Sequence, residues 1–175
     1  MMYALWNKKY KTRIIFILFF SFCLMLFHTF SSTLSTTFFA TFLLFLKFHV
    51  TNFAMGAARI KAGTRPSEDY YQNKTPKLHH VQDAERATRM VQNDLENIPQ
   101  ALVVMWACVI TFYLAQVMTP FAFVMHNGLV GTFVVCRVLY SIFYAYGMAI
   151  PRSISFLIGV VASFGLLLNC GYYIL

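Results

Sequence analysis

Residues 98–117, 121–147 and 154–175 run almost without charge, and each is near or above the roughly 20 residues that a helix needs to cross a bilayer core. A fourth such run extends from about Phe38 to Ala58, with Lys47, His49 and Asn52 embedded in it. A fifth and shorter one lies at Ile14–Phe27, behind Lys8, Lys9, Lys11 and Arg13. In lipid every backbone polar group has to be paired within the segment, which leaves helices or a closed barrel. Barrel strands alternate polar and apolar residues, and these runs do not. The chain is therefore expected to be an all-α, integral membrane four-helix bundle. The extra N-terminal hydrophobic segment reads either as a signal peptide or as a retained anchor. The corresponding division is an extension at 1–33 and a membrane domain at 34–175.

The charged residues are few, at 11% against 59% hydrophobic, and they are segregated. A soluble domain carries about 25% charged residues. The polar segment from Arg59 to Glu96 contains all the acidic residues: Glu68, Asp69, Asp83, Glu85, Asp94 and Glu96. Its first half, with Gly63, Pro66 and Pro76, reads as loop. From about Asp83 it reads as helix continuing into the next apolar run, with Pro99 expected to kink it. Lysines and arginines cluster before Ile14, between Arg59 and Arg89, and at Arg152, whereas the turns near Ser31 and Thr119 have none. Basic turns thus fall on one membrane face, the cytosolic one by the positive-inside pattern. The net charge of +8 is explained this way, and no nucleic acid is expected as a partner because apolar runs interrupt the basic residues.

Two helical stripes carry the polar chemistry. Arg89, Gln92, Asn93 and Glu96 follow i, i+3, i+4, i+7 and share one face, from which Asp94 is turned away. Arg137, Tyr140, Ser141 and Tyr144 repeat that spacing inside an apolar run. A charge in mid-bilayer needs a partner. Asp94 and Glu96 are the carboxylates within reach of the membrane, and an Arg137–Glu96 ion pair is expected. Arg59, Arg89 and Arg152 fall near one face and form a cationic rim suited to a small anion bearing carboxylates. Arginine there also suits activation of a thiol, since a nearby cation favours the thiolate. Cys23, Cys108, Cys136 and Cys170 lie in apolar runs without metal-ligand spacing and read as buried small hydrophobes. His126 reads as a buried hydrogen-bonding residue and His79-His80 as solvated. No metal site is expected.

The segment Arg89-Met-Val-Gln-Asn-Asp-Leu-Glu-Asn-Ile-Pro99 resembles the signature of the membrane-associated proteins in eicosanoid and glutathione metabolism (MAPEG). Arg137-Val-Leu-Tyr140-x-x-x-Tyr144, Pro151-Arg152-Ser153, the Lys47…Arg59 spacing and Arg65-Pro-Ser-Glu-Asp69 are similar too, so the resemblance covers about residues 34–175. It implies a homotrimer in the endoplasmic reticulum, with glutathione bound between protomers on the cytosolic side. By the same resemblance Arg152 stabilises the thiolate. Arg59, Arg89, Gln92, Asn93, Glu96, Arg137, Tyr140, Tyr144 and Ser153 contribute to binding. A lipophilic small-molecule substrate arrives from the bilayer.

Gln92 stands where prostaglandin E synthase-like members have a basic residue, Tyr140 where they have His, and Phe156 where some have Tyr. The expected activity is therefore a glutathione-dependent transferase or peroxidase acting on lipophilic electrophiles or lipid hydroperoxides, as in the microsomal glutathione transferases. The alternatives are a non-catalytic lipid-binding scaffold of the same family, or a prostaglandin or leukotriene synthase-like isomerase or conjugating enzyme.

Overall fold

The computed structural model describes residues 32–64, 78–117 and 119–174. The Ile14–Phe27 segment, Cys23 and the Arg65–Asp69 motif lie outside the described residues. Four helices follow one another: α1 (Thr33–Ala62), α2 (Leu78–Leu114), α3 (Pro120–Ala145) and α4 (Ala149–Tyr172). All four are long and apolar enough to cross a membrane. The protein is thus a multi-pass helical membrane protein.

Local chemistry explains where the helices start and stop. The hydroxyl of Ser32 accepts from the Ser35 N–H at 3.2 Å and caps α1. At its far end Gly63 sits at φ 64°, and the Thr64 N–H closes back on the Arg59 carbonyl at 3.1 Å. The same stop recurs at the end of α3. Gly147 has φ 68°, and the Met148 N–H reaches the Phe143 carbonyl at 2.9 Å. At the end of α2 the left-handed position falls to Gln116, at φ 50°. A side chain is strained there where glycine would not be. Pro120 opens α3 at a position where its missing N–H is not needed.

Helix α2 is the longest element, at 37 residues. At about 1.5 Å per residue it spans roughly 55 Å, far more than the roughly 30 Å hydrocarbon core. Its polar N-terminal half therefore stands out of the membrane. It begins five residues before the Asp83 expected from sequence, and it runs unbroken through Pro99.

Cross-helix hydrogen bonds give the topology. Thr37 of α1 meets His126 of α3, and Trp106 of α2 donates to Thr41 of α1 at 3.1 Å. Cys108 of α2 meets the Leu166 carbonyl of α4, and Asn169 of α4 donates to the Ala122 carbonyl of α3. Each helix thus runs antiparallel to the next. Helix α3 is the most enclosed of the four, with more than half of its apolar stretch buried. Ala40, Leu44, Ala101, Met105, Phe133, Val134, Ala162 and Leu166 form the core around it. Lipid tails are as apolar as leucine, so small residues that let backbones approach closely matter more here than in water.

The bundle end at Arg59, Lys61, the start of α2, Tyr144 and Arg152 is cationic. The opposite end, at Thr36, Thr111, Thr119 and Tyr173, bears no charge among the described residues.

Candidate functional site

The polar residues occupy two levels. The deeper level is a buried seam. Lys47, which sits mid-span in α1, pairs with Asp94 of α2 through Nζ and Oδ2. The Thr51 hydroxyl lies 3.4 Å from the same carboxylate oxygen. Asp94 is completely buried. The next contact along the seam is between α2 and α3, where Arg137 Nη1 donates to Asn93 Oδ1 at 2.8 Å. Arg137 is 1% exposed, so it lies beyond the reach of solvent. Its guanidinium carbon is 5.4–5.6 Å from the ring centroids of Phe133, Tyr140 and Phe156. Three aromatic faces and one amide oxygen thus accommodate a charge that would be costly in the membrane.

This corrects the expected Arg137–Glu96 ion pair. Arg137 engages Asn93 instead, and Glu96, about 60° from Asn93 round α2, stays exposed. Glu96 is exposed and accepts from Gln92 Nε2 at 3.4 Å, one turn back on its own helix. The carboxylate turned inward is Asp94, and Lys47 has taken it.

The upper level is open. A cleft of about 450 Å³ lies between the N-terminal half of α2 and the α3–α4 turn. Gln82, Glu85, Arg86 and Arg89 line it from α2, and Tyr144, Gly147 and Arg152 line it from the other side. The Arg152 guanidinium carbon sits 4.7 Å from the Tyr144 ring centroid, which holds it against that ring. The left-handed turn at Gly147 is in van der Waals reach of Arg86, since a Cβ added there would lie 3.7 Å from Arg86 Nη1. Three arginines face a single carboxylate, Glu85. That carboxylate is loosely engaged by Arg89 at 3.8 Å, with both side chains mostly exposed. The cleft therefore keeps a net positive charge. It has guanidinium forks for carboxylates and one carboxylate for a cationic group.

The expected single rim is divided in two. Arg89 and Glu85 also border a second cleft of about 370 Å³ on the α1 side of α2, and Arg59 lines that one. Arg59 additionally donates to the Thr64 carbonyl at 3.1 Å. Arg59 and Arg152 thus border different clefts on adjacent faces of α2, and Arg89 serves both. On the stripe itself Gln92 is exposed and Asn93 is half-buried. Tyr140 is buried below Tyr144, their rings 5.6 Å apart. Ser153 is exposed, and its hydroxyl is bonded to the Ala149 carbonyl at 3.1 Å.

Sequence reasoning missed Arg86 and Gln82. The signal was present, because positions 82, 86, 89, 93 and 96 continue the same helical stripe upward by two turns. It also missed the partner of Lys47. A lysine in mid-span requires a carboxylate as much as Arg137 does, and Asp94 was the one off the stripe. His126 is fully buried and bonded through Nε2 to Thr37 Oγ1 at 2.8 Å, in line with expectation. Cys108, Cys136 and Cys170 are buried free thiols.

Compared with known proteins, residues 36–172 match the family model described as the MAPEG family. No curated protein and no solved structure matches the chain.

Proposed function

This chain belongs to the MAPEG family, and from that membership we propose that it is a glutathione-dependent transferase or peroxidase acting on lipophilic electrophiles or lipid hydroperoxides. One observation carries the reading: Arg86, Arg89 and Arg152 converge with Tyr144 in one cleft at the cationic end of a membrane bundle. The donor set suits glutathione, which offers two carboxylates, an ammonium group and a thiol. The cleft volume falls within the roughly 300–1,000 Å³ usual for small-ligand sites. Glutathione, when bound, supplies the nucleophilic sulfur.

The residues of the chain then do the rest. Arg89 and Arg86 hold carboxylates through charge-assisted hydrogen bonds, and Glu85 accepts from the ammonium group. Arg152, steadied by the Tyr144 ring, places positive charge beside the sulfur and so favours its deprotonated form at neutral pH. The Tyr144 hydroxyl is a further donor at the same wall. The lipophilic partner reaches the cleft from the bilayer, along α3 and α4.

Gln92 and Glu96, lower on the stripe, are exposed and line neither cleft. Polar side chains at membrane depth need a partner surface. A homotrimer supplies one, with Arg59 of a neighbouring copy closing the site. The positive-inside pattern puts the cationic end in the cytosol, and the endoplasmic reticulum is the membrane proposed.

The test is a conjugation assay on the full chain in detergent micelles, with glutathione and a reactive aryl halide, followed by a lipid hydroperoxide. Wild type should turn over. Arg152→Ala should lose about 100-fold at pH 7 and regain rate as the pH approaches the free-thiol value near 8.5. Absence of turnover with several electrophiles, or a wild-type rate in Arg152→Ala, would refute the reading.

A further inference from the structure

Asn93 is held from behind. Asp94, completely buried, accepts from Lys47 and Thr51 on one carboxylate oxygen, which clamps that turn of α2 to α1. About 100° round the helix, Asn93 faces α3, and Arg137 Nη1 lies 2.8 Å from its Oδ1. A guanidinium has five donors and no acceptor. Whichever way the amide is drawn, only its oxygen can face Arg137 favourably. The oxygen is committed to a full positive charge, and the Nδ2 donors are turned away from it.

Arg137 itself cannot meet a ligand from the cleft. It is 1% exposed and enclosed by the rings of Phe133, Tyr140 and Phe156. Its Nε and Nη2 have no hydrogen-bond partner among the described residues. Arg137 therefore spends its one side-chain hydrogen bond on the orientation of Asn93. Asn93 stands on the stripe between exposed Arg89 and exposed Glu96.

We infer that Arg137 is a positioning residue: it locks the Asn93 amide so that Asn93 presents donors only, and Asn93 thereby reads an acceptor group, a carboxylate or peptide carbonyl. This rests on the glutathione reading for the identity of the acceptor, but not for the orientation of the amide. A free asparagine would accept as readily as it donates, so the lock also rejects ligands that offer an ammonium at that point.

The experiment is a double-mutant cycle on the full chain in micelles, with glutathione Kd and Tm measured for wild type, Arg137→Met, Asn93→Ala and the double variant. Arg137→Met should weaken glutathione binding about 10-fold in the wild-type background and hardly at all in the Asn93→Ala background. Its effect on Tm should shrink in the Asn93→Ala background as well, because the same hydrogen bond ties α2 to α3, so Asn93→Asp is the variant that separates binding from stability. Asn93→Asp should keep Arg137 paired and the fold intact, yet lose binding by about 10-fold or more, since it turns an acceptor toward an acceptor. An undiminished Arg137→Met effect on Kd in the Asn93→Ala background overturns the inference.

If wild type shows no glutathione binding, the functional reading falls. The orientation claim is then decided by the side-chain amide resonances of Asn93 in asparagine-labelled protein. They should shift and sharpen towards free rotation in Arg137→Met, and an unchanged signal overturns the claim.

Discussion

Replacing Lys47 with methionine tests the buried seam most directly. Lys47 and Asp94 are 9% and 0% exposed at the side chain, so neither charge has water to fall back on. Methionine keeps the length of the side chain and removes the charge. Asp94 is then left with the Thr51 hydroxyl at 3.4 Å, and its Oδ1 already has no partner among the described residues. Breaking a buried pair from one side costs about 3–5 kcal/mol, because an uncompensated charge stays behind. Within membranes the unfolded reference state finds partners of its own, which pulls such values down, so about 3 kcal/mol is the working figure. For a chain of this size that lowers Tm by roughly 6–12 °C.

The assay is thermal unfolding of the purified protein in micelles, for Lys47→Met, Asp94→Leu and both together. The double variant should recover most of the loss, because replacing both members of a buried pair by apolar residues is often neutral. Two outcomes would refute the reasoning: a Lys47→Met loss below about 1 kcal/mol, or losses that simply add in the double variant.

Three further outcomes are expected. Thr37→Val removes the hydrogen-bond partner of His126 Nε2, while its Nδ1 has none among the described residues, and should cost about 1–3 kcal/mol by thermal unfolding, with Thr37→Ser close to wild type. Gln116→Gly relieves the left-handed strain at φ 50° and should stabilise by about 1 kcal/mol, seen as a Tm higher by about 2–4 °C. Arg86→Ala should weaken glutathione binding about 5-fold with kcat almost unchanged. It should also flatten the salt dependence of Kd, since this arginine is exposed and its contribution is screened.

The spans were legible because hydrophobic length is a strong physical constraint. The runs at 38–58, 98–117, 121–147 and 154–175 each correspond to the apolar part of one helix. Their true ends were less visible. The start of α2 at Leu78 lies in polar sequence, where no membrane enforces the pattern. The stripe at Arg89–Glu96 was readable from spacing alone. What spacing could not show is which neighbour each stripe faces. Arg137 and Glu96 look complementary on paper, yet Arg137 is taken up by Asn93 and Glu96 stays exposed. The inward carboxylate is Asp94, one helical step off the stripe. The division of the arginine rim had the same cause, since Arg59 and Arg152 share a membrane level but not a side of α2.

That separation of faces has a consequence for how the site is built. The buried face of α2 carries Asp94, tied to α1, while Asn93 is tied to α3, so adjacent residues lock the helix to two different neighbours. A rotation of α2 by even one residue position would break both contacts at once. The outer face carries Arg86, Arg89, Gln92 and Glu96, which are exposed and lightly engaged. Rigidity is thus assigned to the membrane-buried side and availability to the open side of one helix. A site made from such a helix can hold its arginines in register while leaving them only loosely engaged until a ligand or a second protomer arrives. Substitutions on the inner face should therefore move Tm and binding together, whereas those on the outer face should move binding alone.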